Sequence, residues 1–198
     1  MTEVIPLFPL SSVLLPRGRT ALQIFEPRYL DLVSHCLKNE SGFGVVLLRE
    51  GSEVMSKDHP VDTRLSSIGS FAKIVDWDSL PNGLLGVTIE GQKKFTVLSS
   101  YQEKDGLHKA EVEWIAPEPM IALPEDSDDM QLILRQLLQH PHLERLQLDT
   151  DVNDVSSLSF LLTQLIPIDE RLKFELLSLT EPMVRLHQIM DVLDQFSQ

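Results

Sequence analysis

Residues 117–129 read Pro117-Glu-Pro-Met-Ile-Ala-Leu-Pro-Glu-Asp-Ser-Asp-Asp129, and the chain changes character across them. Three prolines remove backbone donors and four carboxylates gather at the end, so residues 118–127 read as a connector. Before it, short apolar runs and alternating segments are broken by Gly, Pro, Asn and Asp, the punctuation of strands. After it, apolar residues recur three and four apart, the period of helices. The 198 residues therefore divide into a β-rich part, 1–117, and a helical part, 128–198, which makes the fold class α+β. Charge divides with them: 12 basic groups stand against 15 acidic ones in residues 1–117, and 5 against 15 in residues 118–198.

Working back from the connector, residues 4–10 read as a strand, but Pro6 and Pro9 cannot donate to a ladder and confine it to an edge or an irregular path. Residues 20–25 form the next candidate. Glu26-Pro27 then opens a helix whose Leu30, Val33 and Leu37 share one face, and Asn39-Glu-Ser-Gly42 ends it. The unbroken run 45–48 suits a central strand covered on both faces. Residues 66–75 and 84–89 flank Asp76-Trp-Asp-Ser-Leu-Pro-Asn-Gly83, whose Asn-Gly pair favours a tight reversal. With 95–98 and 110–114 this makes about six strands and one helix. Working forward, residues 128–139, 157–165, 169–179 and 181–196 read as helices, with Pro167 dividing a neighbouring pair. Met183, Leu186, Met190 and Leu193 make the stripe of the last one, Thr180 is placed to cap it, and Pro182 lies in its first turn.

Composition excludes several functions. A formal charge of -13 repels phosphate backbones, and Arg17, Arg19, Lys93 and Lys94 are too few to reverse that unless folding gathers them. The single cysteine, Cys36, has no partner for a disulfide or a cysteine-based metal site and reads as a small buried thiol. No apolar run approaches the roughly 20 residues a bilayer span needs, and the first residues lack a basic start, so a cytoplasmic protein is expected. Phosphate loops, dinucleotide-binding glycines, His-Glu-x-x-His and Gly-x-Ser-x-Gly are all missing, so no catalytic residue, metal ligand or cofactor is assigned. His140-Pro-His142 reads as a polar helix terminus, and Asp126, Asp128 and Asp129 as a helix start where negative charge is stabilising.

The segments Pro6-Leu-Phe-Pro-Leu10, Val13-Leu-Leu-Pro-Arg-Gly18 and Leu22-Gln-Ile-Phe-Glu-Pro-Arg-Tyr29 together resemble the opening of the LON substrate-binding domain, the N-terminal domain of ATP-dependent Lon proteases. Further pieces follow in the family's order: Ile68-Gly69, Val87-Thr-Ile-Glu-Gly91, Lys94-Phe95, Ala110-Glu-Val-Glu113, Leu165-Ile-Pro-Ile168, Phe174-Glu-Leu-Leu177 and Arg185-Leu186. The resemblance implies a PUA-like pseudo-barrel followed by a helical bundle, and a role in contacting protein substrates. A complete Lon continues into an ATPase module and a Ser-Lys protease domain; this sequence reaches neither and resembles the free-standing LON-domain proteins of bacteria. Two alternatives stay open, a hydrolase whose site is unrecognised and an RNA-binding PUA-like protein.

Glu26 and Arg28 flank the strand-to-helix junction, where the acid can accept helix N–H groups and the arginine can hold carbonyls or a carboxylate, while Phe25 and Tyr29 pin the helix to the sheet. The residues expected to touch a peptide are Leu15, Phe25, Arg28, Tyr29, Met55, Trp77 and Leu80, because apolar and aromatic side chains in exposed segments supply contact area for varied sequences. The partners implied are unfolded or tagged polypeptides and the protease or chaperone that handles them, with no membrane; the oligomeric state is open.

Overall fold

A computed structural model describes residues 2–50 and 64–196. They fall into two compact units, the first comprising Met1–Leu14 and Arg19–Ala116, the second Leu15–Gly18 and Pro117–Gln198. The chain thus enters the second unit briefly, for four residues, long before the connector. The family-implied organisation holds, strands first and a helical bundle after.

The first unit contains β1 (Thr2–Leu10), β2 (Arg19–Ile24), α1 (Pro27–Lys38), β3 (Gly42–Glu50), β4 (Arg64–Ser79), β5 (Leu85–Gln102) and β6 (His108–Trp114). Their order is β2-β5-β4-β3-β1-β6, and β5 also pairs with β6, which closes the last five into a barrel and leaves β2 outside the ring. Among the described residues only the β1–β3 pair is parallel. The stretches 84–89 and 95–98, expected as separate strands, are one: Gly91-Gln-Lys-Lys carries β5 from its pairing with β2 to its pairing with β6, with Gln92 an extra residue opposite Phe71 and Ala72 of β4. Pro6 and Pro9 do not keep β1 at an edge, since it pairs with β3 and β6, each proline leaving one donor out of a ladder.

Alternation along β1 and β3 feeds two cores. Ile5, Leu7 and Val46 point to the barrel interior with Phe95, Ala110 and Val112. Phe8, Leu10, Phe43 and Val45 point the other way, against Tyr29, Leu32, Val33 and Cys36 of α1. Burial raises the Cys36 thiol pKa, in keeping with an inert structural cysteine. In the interior the Phe95 ring rests where two glycines omit side chains: a Cβ on Gly44 would stand 2.7 Å from it, and one on Gly69 2.6 Å from the ring and 2.4 Å from the Val45 carbonyl oxygen.

The second unit holds α2 (Asp128–Leu138), α3 (Pro141–Glu144), α4 (Val155–Leu165), α5 (Glu170–Ser178) and α6 (Pro182–Phe196). Helix α4 is central: Val155, Leu158, Leu161 and Leu162 are fully buried, and so are Ser159 and Thr163, whose hydroxyls donate to backbone carbonyls of the same helix. Asp154 caps α4 through Ser157 N–H, and Asp169 caps α5 through Leu172 N–H. At α6 the Arg185 amide bonds the Glu181 carbonyl, so Glu181 rather than Thr180 occupies the cap position, adjoining Pro182.

Residues 118–127 are integrated into this unit. Ile121 and Leu123 pack on its core, the Ile121 carbonyl accepts from Val155 N–H, and a 3-10 turn spans Glu125–Ser127. Glu118 receives both Nη atoms of Arg185, at 3.0 and 2.5 Å, and the Ser156 hydroxyl. Arg185, fully buried, also donates Nε to the Leu176 carbonyl and lies 3.8 Å from the Phe160 ring centroid. Burial pulls its pKa down to about 10, with the Glu118 carboxylate opposing, so at neutral pH it is charged and held at a desolvation cost. The reading of 118–127 as a mere connector failed because proline and acid content does not reveal a buried arginine 67 residues later in sequence.

Two expectations follow. Gly69→Ala should lower the unfolding free energy by about 1–3 kcal/mol, because the new methyl meets backbone that cannot yield; a urea midpoint unchanged from wild type would contradict the packing at Phe95. Arg185→Met alone should cost about 3–5 kcal/mol by stranding the Glu118 carboxylate, whereas Arg185→Met with Glu118→Leu should cost less than the single change. Urea unfolding followed by circular dichroism, arranged as a double-mutant cycle, gives the comparison; additive losses would show that the pair is not coupled.

Candidate functional site

The junction Phe25-Glu-Pro-Arg-Tyr29 is held from both sides. Pro27 starts α1, and the Glu26 carbonyl accepts from Tyr29 and Leu30 N–H. The Glu26 carboxylate makes no cap; it meets Arg28 Nη2 at 2.9 Å instead. Arg28 Nη1 donates to the Gly106 carbonyl at 2.7 Å, and Gln102 Nε2 donates to the same oxygen at 2.9 Å. Gly106, at φ +87, turns that carbonyl toward the two donors in a conformation that favours glycine. Arg28 is therefore buried and structural, a correction to its candidacy as a peptide contact.

Tyr29 is buried with its ring stacked on Phe8 at 4.0 Å between centroids. Phe25 differs from the expectation that it pins the helix, for it is 52% exposed. It borders a hollow of about 180 Å³ whose other apolar walls are Phe8, Leu10, Leu22, Ile24 and Tyr29. The hollow runs along β2, and among the described residues no strand pairs with the side of β2 facing away from β5.

A second hollow, of about 210 Å³, shares Ala21, Leu22 and Gln23 with the first. Register explains why. Leu22 pairs with Val87 and Val87 with Trp77, a row facing the core, whereas Ala21-Thr88-Asp76 and Gln23-Gly86-Asp78 form rows on the opposite face. Leu80 leans over Gly86, where a Cβ would come 3.0 Å from it. Trp77, 60% exposed, borders this second hollow. Strand β2 thus has a mainly apolar hollow against its inner face and an acid-rimmed one against its outer face.

The expected contacts divide accordingly. Phe25 and Tyr29 line the first hollow, Trp77 and Leu80 the second. Leu15 is corrected: it is fully buried in the second unit, its N–H donating to Gln164 Oε1 at 2.8 Å, because Arg17 beside it reaches Ser157, Asp149 and the Asp151 carbonyl and secures the segment Leu15–Gly18. Met55 lies outside the described residues. Phe8, Leu10, Leu22 and Ile24 were missed as site residues; the alternation Thr20, Leu22, Ile24 signals an apolar face but says nothing of an open neighbour.

The basic residues that an RNA reading requires are engaged elsewhere. Arg19 pairs with Glu90 at 2.6 Å, Lys93 lies 3.4 Å from the Trp114 ring centroid, Lys94 is buried, and Arg17 belongs to the other unit. No group of three or more His, Cys, Asp or Glu suited to a metal ion occurs among the described residues, and no helix among them is long and apolar enough to cross a membrane.

A family model described as the ATP-dependent protease La (LON) substrate-binding domain matches residues 4–195. The chain belongs to the LON substrate-binding domain family. A crystal structure of a Lon N-terminal domain protein from Xanthomonas campestris matches at 30% identity and TM-score 0.72, covering 96% of this chain and 98% of that one. The N-terminal domain of a Mycobacterium avium complex Lon protease shares the fold at TM-score 0.60 and 13% identity, over 96% and 97% of the two chains. Lon protease of Bacillus thuringiensis (strain Al Hakam) is 23% identical over 202 residues, and this LON-domain chain, 96% covered, spans 24% of its length. The opening segments that carry the resemblance, 6–10 and 22–29, supply the walls of the first hollow.

Near the junction, His108 starts β6 with its Nε2 3.4 Å from Gln102 Nε2. Burial, and then the Arg28 charge, lower its pKa, so the folded LON domain keeps it neutral where an unfolded chain would protonate it. The unfolded state then binds the extra proton, and stability falls as pH drops below the ordinary histidine value of about 6.5. His108→Gln should therefore lose less stability than wild type between pH 7.5 and 5.5 in urea unfolding; equal losses would show that His108 protonates freely in the fold.

Proposed function

We infer that this LON domain is a non-catalytic module that holds unfolded or tagged polypeptides in the hollow beside β2, in the service of a protease or chaperone. Phe25 carries the reading: its ring is half exposed over a floor made by the stacked Phe8 and Tyr29, an apolar surface that water solvates poorly and that a displaced hydrophobic side chain would cover. The family's description as a substrate-binding domain supports it. A folded client hides such side chains, and an unfolded one offers them at many positions. Affinity at one hollow is weak, since ordering a flexible chain opposes binding, and repeated contacts along a client compensate.

Fluorescence titration with permanently unfolded, reduced and alkylated α-lactalbumin, against the native form, tests this. The unfolded form should bind in preference, and Phe25→Ser should weaken it about five- to thirtyfold, the range for an interface aromatic worth about 1–2 kcal/mol, without moving the melting temperature. Equal binding of both forms, or an unaffected Phe25→Ser variant, would overturn the assignment.

A further inference from the structure

We propose that the occupant of this site is an extended polypeptide segment that adds as a strand to the free edge of β2, with apolar side chains alternating with basic ones. This rests on the hollow beside β2 being the binding site and goes further by naming the backbone geometry and the side-chain pattern that it selects. Three observations converge.

The first is the edge. β2 pairs with β5 over Arg19–Ile24, and alternate residues of any strand direct their N–H and C=O groups to opposite sides, so half of the β2 peptide groups face outward. Among the described residues no strand meets them. Another extended backbone supplies the same alternation of donors and acceptors, without regard to its sequence.

The second is the pair of hollows. Both reach Ala21, Leu22 and Gln23, one on each face of the sheet. A strand laid along β2 directs successive side chains to opposite faces, so one set enters the hollow floored by Phe8 and Tyr29 and the other passes over Ala21 and Gln23 toward Asp76 and Asp78.

The third is charge. Asp76 and Asp78 each use Oδ1 to accept the N–H of the following residue, at 2.9 and 2.7 Å, and both are exposed on the outer rows. Two carboxylates two residues apart on one face suit a lysine or arginine head group. The formal charge of -13 also opposes pairing of this edge with a second copy of the chain and favours a cationic segment.

The probe is a fluorescein-labelled eight-residue peptide of alternating leucine and lysine, titrated by anisotropy against the full chain. It should bind at least about tenfold more tightly than a block peptide of four leucines followed by four lysines, because only alternation serves both faces. N-methylation of all leucine amides or of all lysine amides should abolish binding for one set and spare the other, since only one set faces β2. Asp76→Asn with Asp78→Asn, which keeps the neutral local acceptors, should weaken the leucine–lysine peptide about two- to fivefold and should not weaken a leucine–glutamate one. Equal affinity of alternating and block peptides, or equal effects of the two methylation patterns, overturns strand addition; if unfolded α-lactalbumin still binds through Phe25, the hollow as binding site survives that failure. A sedimentation dimer that forms as peptide binding is lost at high protein concentration assigns the edge to a second copy and also overturns the proposal.

Discussion

The strand β5 governs the first unit. Its 18 residues exceed the length of every strand it pairs with, and it carries β4 along one side while β2 and then β6 share the other. A sheet that closes on itself leaves no free edge. Here closure uses the second half of β5, through β6, so among the described residues no further strand pairs with the one on its first half. An edge in this position is a geometric consequence of one strand being long enough to serve two partners in succession. The edge is also short: six residues, ending where Glu26 and Pro27 turn the chain into α1, which limits what it can template.

The motif that identifies the family stands beside this edge for two different reasons. Glu26, Arg28 and Tyr29 are structural: the ion pair, the Gly106 carbonyl and the stacked Phe8 fix the start of α1 relative to the barrel. Phe25 contributes little to that packing, because half of it is open. It holds the N′ position before the Glu26 cap, outside the buried face of α1, which leaves the ring accessible. A short string can thus mix residues that build a surface with one that presents it, and burial separates them.

What was legible in the sequence follows from range. Helix periods, the proline at the head of α1 and the apolar run at 45–48, buried at Val45 and Val46 and half-buried at Leu47 and Leu48, are local, and the elements follow them. The continuity of β5 was missed because Gly91 and two lysines resemble a break, when glycine in a strand also marks an irregular register. The burial of Leu15 and the capture of 118–127 were missed because each depends on a partner more than sixty residues away, Gln164 in one case and Arg185 in the other. The two hollows were half legible: aromatic and loop positions named Phe25, Tyr29, Trp77 and Leu80, which line them, but Phe8, Leu22 and Asp76 join them only through register, which no local pattern contains.

The buried Arg185–Glu118 pair and the exposed acids of the β unit use charge in opposite ways, and the difference bears on where function can reside. In the helical unit the Arg185–Glu118 pair is desolvated, with its hydrogen bonds directed inward to Ser156 and the Leu176 carbonyl. Such a pair has nothing left to offer a ligand, and its partly unfavourable burial makes sense as a device that specifies one packing of α6 against the segment at 118, since a mispaired arrangement would leave a bare ion in the core. In the β unit the acids at 76 and 78 are spread along exposed rows, fastened only by neighbouring amides, and each retains a carboxylate oxygen toward solvent-accessible space. Charge fixes the fold in the first case and remains open to solvent in the second, in keeping with the proposed binding at the strands.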